Sequence, residues 1–244
     1  AFMANVANDV LGVKSLAITA KSPSLAKSEL REAVLLGEKL GLNHRIIETE
    51  EVQRPDYRAN TSNRCFYCKD ELYDRLANIA RTENFSWIAN GTNADDLKDF
   101  RPGLNAAKKY SVRSPLVEVG LSKSEIRLLS KEMGLSVWDK PAQACLSSRV
   151  PYGTTVTVEA LESISVAEEH LRNLGISQIR VRHHGNMARI EIEPKDFHIL
   201  VDEGVRNNVI KFFKSIGYIY ITLDLAGFRS GSLNEVMVDL NGGD

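Results

Sequence analysis

Residues 15–49 read SLAITAKSPSLAKSELREAVLLGEKLGLNHRIIET. Ser15 to Thr19 is a short apolar run that suits a strand. From Lys27 to Leu40, Leu30, Val34, Gly37 and Leu40 recur at helical spacing, and Gly41 supplies a C-terminal stop. His44 to Thr49, carrying Ile46 and Ile47, then reads as a second strand. Strand, helix and strand at these lengths predict a βαβ crossover, hence an α/β fold built on a doubly wound parallel sheet.

The same rhythm extends outward. Lys69 to Thr82 puts Leu72, Leu76, Ile79 and Ala80 on one helical face, and Trp87 to Asn90 reads as a brief strand entering Gly91-Thr92. Ser122 and Glu125 form a capping-box pattern that opens a helix reaching Met133. Past Pro151 the rhythm changes. A helix is predicted over 158–174 with Leu161, Ile164 and Leu171 on its buried side. Alternating strands follow on either side of His184-Gly185-Asn186, then helical segments from Phe197 to Ile216 and a strand from Tyr218 to Asp224. The expected division is residues 1–150 as one domain and 151–244 as a smaller α+β domain, with Pro151-Tyr-Gly153 as hinge.

Composition narrows the class. Hydrophobic content of 43% and a formal net charge of -1 fit a soluble globular chain. They supply no basic surplus for gripping a nucleic-acid backbone. No apolar run is long enough to span a bilayer and no charged-then-apolar leader opens the chain, so a cytoplasmic protein is expected. Three cysteines suit free thiols in a reducing compartment better than a disulfide framework.

Cys65-Phe-Tyr-Cys68 places two thiols three apart at the start of a helix, able to share a metal or cluster or to form a redox pair. Zinc needs two further ligands, and none of the five histidines has partner spacing near a cysteine. His44 and His170 read as surface or packing residues. Cys145 stands in Ala144-Cys-Leu-Ser-Ser-Arg149, where Ser147, Ser148 and Arg149 are polar company for a core cysteine. An adjacent arginine favours thiolate and can hold phosphate. Three cysteine ligands suit a [4Fe-4S] cluster with one iron left open.

Asn90-Gly-Thr-Asn-Ala-Asp-Asp-Leu97 follows the carboxyl end of a predicted strand, where open α/β sheets bind ligands. There Gly91 permits close approach, Asp95, Asp96 and Asp99 suit Mg²⁺, and Arg101 suits phosphate; the alternative is a solvated acidic turn. Arg180 and Arg182 lie two apart on a strand and share a face, either an anion grip or a solvated sheet face balanced by Glu191 and Glu193. Residues 222–231 place Asp224 and Arg229 near a glycine-rich turn.

With these residues the chain resembles the LarE-type ATP-dependent sulfur transferases, within the PP-loop ATP pyrophosphatases. The matching pieces are Asn90-Gly-Thr-Asn-Ala-Asp-Asp, Arg101-Pro-Gly, Ala144-Cys-Leu-Ser-Ser-Arg-Val-Pro-Tyr-Gly-Thr, Arg180-Val-Arg182 and Leu223-Asp-Leu-Ala-Gly-Phe-Arg-Ser-Gly. The resemblance implies adenylation of a carboxylate on a pyridinium dicarboxylate mononucleotide, followed by displacement of AMP by sulfur. Two rounds give the bis-thiocarboxylate that leads to the nickel-pincer nucleotide of lactate racemase. It assigns Gly91, Thr92, Asp95 and Asp96 to ATP and Mg²⁺, and Ser148, Arg149, Arg180 and Arg182 to phosphate. Arg229 joins the candidate phosphate ligands.

Cys145 matches the sulfur-donating cysteine. Cys65 and Cys68 imply the three-cysteine subtype, in which a [4Fe-4S] cluster carries an extra sulfide from an external sulfide source. Single-cysteine members sacrifice their own sulfur. Self-assembly, with a hexamer as its form, also follows only from the resemblance. The family's Ser-Gly-Gly-x-Asp-Ser phosphate loop should follow an Ala-Phe pair. Here Ala1-Phe2 runs straight into Met3-Ala-Asn-Val, so that loop and the residues before it are expected to lie outside this sequence. Thiolation of a tRNA base by related chemistry and a non-catalytic iron–sulfur or nucleotide-binding protein remain alternatives.

Overall fold

The computed structural model describes residues 1–98, 101–141 and 143–229; Asp99, Ser230 and Gly231 lie outside the described residues. The chain separates into two compact units, one of Ala1–Ser22 with Ser28–Gln143, the other of Pro23–Lys27 with Ala144–Asp244.

The first unit contains α1 (Phe2–Leu11), β1 (Ala17–Lys21), α2 (Lys27–Lys39), β2 (His44–Glu48), α3 (Pro55–Arg58) and α4 (Arg64–Thr82). Three further helices follow, α5 (Gly103–Lys109), α6 (Pro115–Glu118) and α7 (Lys123–Glu132). β1 and β2 pair in parallel from Ala17 opposite His44 to Lys21 opposite Glu48, and α2 is their crossover. The mixed α/β class and the parallel pairing follow the sequence expectation.

Trp87–Asn90 does not extend into a full strand. Ala89 forms one parallel bridge to Arg113, anchored by the Asn90 and Arg113 N–H groups. α4 starts a turn earlier than its apolar periodicity indicates, because Arg64 is buried and hydrogen-bonded to Asn60. At α7 the capping box forms: the Glu125 N–H donates to Ser122 Oγ, and the Ser122 N–H donates to the Glu125 carboxylate at 2.8 Å.

In the second unit, α8 (Val158–Asn173) is followed by β3 (Ile179–His184), β4 (Met187–Ile192), α9 (Phe197–Val201), α10 (Glu203–Ser215) and β5 (Tyr220–Leu223). β3 and β4 are an antiparallel hairpin, turned at Gly185 with φ +60°, a conformation that glycine adopts without strain. β5 adds in parallel on the far side of β4, giving the order β3-β4-β5. Ile179 and Val181 face a core shared with Leu171 of α8, Ile190 and Ile192 of β4 and Phe213 of α10. Each such side chain contributes roughly 1.5–3 kcal/mol by burial. Among the described residues no helix is long and apolar enough to cross a membrane.

Candidate functional site

Cys145 is an exposed free thiol at the N-terminus of a short 3₁₀ turn, Leu146–Arg149. Two backbone bonds set that turn: the Leu146 N–H donates to Ser24 O at 2.8 Å, and the Ser148 N–H to Cys145 O at 3.0 Å. Arg149 locks it from inside. Its guanidinium is 2% exposed and donates from Nε and Nη2 to the two Glu168 oxygens at 2.8 and 2.9 Å. Nη1 reaches back to the carbonyls of Ala144 and Cys145 at 2.7 and 3.0 Å and to Ser148 Oγ at 3.0 Å. A buried arginine thus ties the backbone on both sides of the thiol to α8.

Arg182 repeats the pattern from β3. Nε and Nη2 form a bidentate pair with Glu191 at 3.0 and 2.8 Å, and Nη1 donates to Ser148 O at 2.7 Å. Arg180, two residues earlier on the same face, donates to Ile179 O and lies 5.2 Å over the Phe228 ring. This face is buried, which excludes the solvated-sheet reading of the arginine pair. Three guanidiniums, Arg149, Arg180 and Arg182, thus share the region with two carboxylates, Glu168 and Glu191, and these five groups sum to a positive charge. Burial, then repulsion from Arg149, lowers the Arg180 pKa to about 10, so it stays a cation at neutral pH.

At the rim, Arg189 donates to Glu191 at 3.0 Å and sits 3.6 Å from Asp224. Arg229 lies 4.0 Å from the same Asp224.

Glu168 is the residue that reading by motif passes over. It lies on the same stripe of α8 as Leu161, Ile164 and Leu171, and a lone carboxylate on an apolar stripe is itself a signal for a buried cationic partner. Its Oε1 also accepts from the Val181 N–H at 3.0 Å, tying α8 to β3.

The first unit holds the remaining candidates. Cys65 and Cys68 lie in the opening turns of α4, one turn apart on one face, Cys65 exposed and Cys68 half-buried. Asn90 organises the turn after them in sequence. Its Oδ1 accepts from the Thr92 N–H at 3.0 Å and from Ser114 Oγ at 2.9 Å, and its Nδ2 donates to the Tyr73 hydroxyl. Among the described residues no atom lies close to where a Gly91 side chain would stand, which leaves the backbone there open to approach.

Asn93 Oδ1 then accepts from the Asp95 and Asp96 N–H groups. The Asp95 carboxylate accepts from the Lys123 N–H at 2.9 Å, which, with Lys98, holds it below the usual carboxylate range. Asp96 pairs with Arg101 at 2.8 Å. Arg101 is therefore engaged within the turn.

The two aspartates are the donor chemistry of Mg²⁺, and a carboxylate's four lone-pair positions leave room for a cation beside these bonds. Cysteine thiols are the donor type an iron–sulfur cluster takes. Among the described residues, however, no group of three or more His, Cys, Asp and Glu side chains is gathered to hold a metal. His44 bonds Thr19 and His170 stacks on Phe212, matching their reading as packing residues.

No protein-family model matches the chain. Individual relatives do. The pyridinium-3,5-bisthiocarboxylic acid mononucleotide synthase of Lactiplantibacillus plantarum is 36% identical over 95% of this chain and 84% of its own length. The chain belongs to the LarE-type sulfur transferases. Two uncharacterized proteins share that relationship to it. One, from Synechocystis, is 46% identical over 96% of the chain and 88% of its own length. The other, from Methanocaldococcus jannaschii, is 30% identical over 89% and 82%. In this LarE-type enzyme the exposed thiol and the arginine cluster lie in one unit, joined by the Arg149 and Ser148 contacts.

Proposed function

We propose that this enzyme adenylates a carboxylate of pyridinium-3,5-biscarboxylic acid mononucleotide and converts it to a thiocarboxylate. A carboxylate oxygen attacks the α-phosphorus of ATP and pyrophosphate leaves. A sulfur nucleophile then attacks the acyl carbon and AMP leaves, which a free carboxylate would not permit because it lacks a good leaving group. The observation that carries the reading is the exposed Cys145 thiol at the end of a turn fastened by buried Arg149. That is where a nucleophilic sulfur would be presented.

The chain's own residues would divide the work. Gly91, Thr92, Asp95 and Asp96 serve ATP, with Mg²⁺ on the aspartates to offset phosphate charge. Arg180, Arg182, Ser148, Arg149 and Arg229 draw and place phosphate through the positive surplus of the cluster and its rim. Arg149 and Arg182 also hold the Cys145 turn. Cys65, Cys68 and Cys145 are proposed as ligands of a [4Fe-4S] cluster, which supplies sulfide when bound. In the other route the Cys145 thiolate attacks the acyl carbon as AMP leaves, and loss of the Cys145 α-proton then breaks its Cβ–S bond, releasing the thiocarboxylate and leaving dehydroalanine in the chain. A doubly wound PP-loop sheet over residues 1–150, a substrate unit over 151–244, homo-oligomer assembly and a cytoplasmic location complete the proposal.

ATP–pyrophosphate exchange in the presence of the dicarboxylate nucleotide tests the adenylation step. Exchange that depends on the nucleotide supports it, and its absence points to a binding protein. Anaerobic purification with an iron count separates the two sulfur routes.

A further inference from the structure

We infer that Asp224 is a holding counter-ion at the rim of the arginine cluster: it keeps Arg189 and Arg229 in place until both leave it for an oxyanion of the incoming substrate, a phosphate or a carboxylate. This rests on the reading that the cluster takes the anionic substrate. It adds Arg189 as a binding residue and Asp224 as the residue that sets how tightly the anion is held.

Strand register places Arg189 directly opposite Arg182, on the face that also carries Glu191 and Thr222. Like charges paired across two strands repel. Glu191 offsets part of this. Fully buried, it is fixed by its bidentate pair with Arg182 and accepts from Arg189 Nη2 at 3.0 Å. Arg189 Nε is left over. It is shut off from solvent and, among the described residues, has no hydrogen-bond partner. Asp224 Oδ2 stands 3.6 Å from it, outside bonding range. Nε2 of His184, a diagonal neighbour of Arg189 across the hairpin, is in the same condition. Two unsatisfied nitrogens side by side on one sheet face call for an acceptor that the folded chain does not supply. An oxyanion accepts from both, with His184 in its Nε2–H tautomer.

Asp224 cannot close the gap itself. Its N–H donates to Ile190 O at 2.9 Å, its Oδ1 accepts from the Ala226 N–H at 2.9 Å, and its carbonyl accepts from the Gly227 N–H at 3.0 Å. The turn is pressed onto β4: a side chain at Gly227 would stand only 3.0 Å from Ile192 O. The aspartate is therefore fixed, and the long arginine side chains, 37% and 39% exposed, are the movable partners. Ion pairs at 3.6 and 4.0 Å on such a rim are weak, whereas a guanidinium offering two parallel N–H groups to an oxyanion binds it strongly. The exchange of partners needs no change of fold. Asp224 stays behind as a negative charge that opposes the anion and limits its affinity. Two rounds of sulfur transfer require the nucleotide to turn its second carboxylate toward the same sulfur, which a tighter grip would slow.

Calorimetric titration with pyridinium-3,5-biscarboxylic acid mononucleotide, without ATP, tests this. Asp224→Asn keeps the Oδ1 acceptor of the turn and removes only the charge. This variant should bind the nucleotide about three- to tenfold more tightly than the parent protein, as expected when one screened charge near the anion is lost. Arg189→Gln should bind it about tenfold more weakly. In the double variant most of the gain from Asp224→Asn should vanish. Pyridine-3,5-dicarboxylate, which lacks the phosphate, separates the two sources of oxyanion. A gain with it as well assigns the group to a ring carboxylate, and a gain with the nucleotide alone assigns it to the phosphate. Unchanged or weaker binding by Asp224→Asn overturns the inference and leaves the proposed function standing, because Asp224 would then serve the fold or the cationic ring. A gain undiminished by Arg189→Gln overturns it too. If none of these proteins binds the nucleotide, the proposed function fails and the inference with it.

Discussion

Arg149 and Glu168, nineteen positions apart, meet as a buried bidentate pair at 2.8 and 2.9 Å, and the remaining arm of Arg149 holds the carbonyls of Ala144 and Cys145. One ion pair therefore joins the reactive turn to the longest helix of its unit. Removing either partner leaves a charge buried without its counterion, which typically costs about 3–5 kcal/mol.

Glu168→Gln should accordingly lower the urea midpoint of the second unit by an amount equivalent to several kcal/mol, with the loss placed at about 3–5. Limited proteolysis should cut near Cys145 faster than in the parent protein. An unchanged midpoint together with unchanged cleavage would show that the pair does not hold the turn.

Cys145→Ser should separate chemistry from stability. The side chain is exposed, so the change in stability should stay within about 0.5 kcal/mol. Thiocarboxylate formation should fall below detection while ATP–pyrophosphate exchange persists, because adenylation does not use the thiol. Assaying both activities on one preparation checks the split.

Arg180→Gln should weaken binding of AMP, measured by calorimetry, by about ten- to a hundredfold. That range corresponds to one charge-assisted hydrogen bond of roughly 1.5–3 kcal/mol. Arg182→Gln should do more, because it also breaks the pair with Glu191 and the bond to Ser148 O.

His183 and His184 give the second unit a pH dependence of known sign. Burial holds both imidazoles below their ordinary value of 6.5, and Arg189 and Arg182 add to the effect at His184. Protons then bind the unfolded chain first, so this stability is complete above about pH 6.5 and declines as pH falls toward the folded values. Thermal melts from pH 7.5 to 5 should show a decline in the parent protein that is shallower in the His183→Asn, His184→Asn double variant.

The first parallel pair was legible because Leu30, Val34 and Leu40 recur at helical spacing between two short β-rich runs, and Ser122 with Glu125 announced a capped helix. Trp87–Asn90 carries strand composition but forms only the Ala89 bridge, since a strand also requires neighbours on its edges. The Cys145 string was legible as a motif. Its mechanical support was not, because Glu168 lies on a helix read for its leucines and isoleucines, and pairing across nineteen residues leaves no local pattern. Arg180 and Arg182 were visible as a pair on one face, but only the fold shows that face to be buried and Arg182 to be joined to the Cys145 turn through Ser148.

Sulfur transfer at Cys145 is the step on which the proposed function turns. Mass spectrometry of a reaction containing the protein, ATP, Mg²⁺ and pyridinium-3,5-biscarboxylic acid mononucleotide tests it most directly. A thiocarboxylate product is expected, with release of AMP and pyrophosphate, and no such product from Cys145→Ser. Thiocarboxylate formed at an undiminished rate by that variant, or none formed by the parent protein, would contradict it.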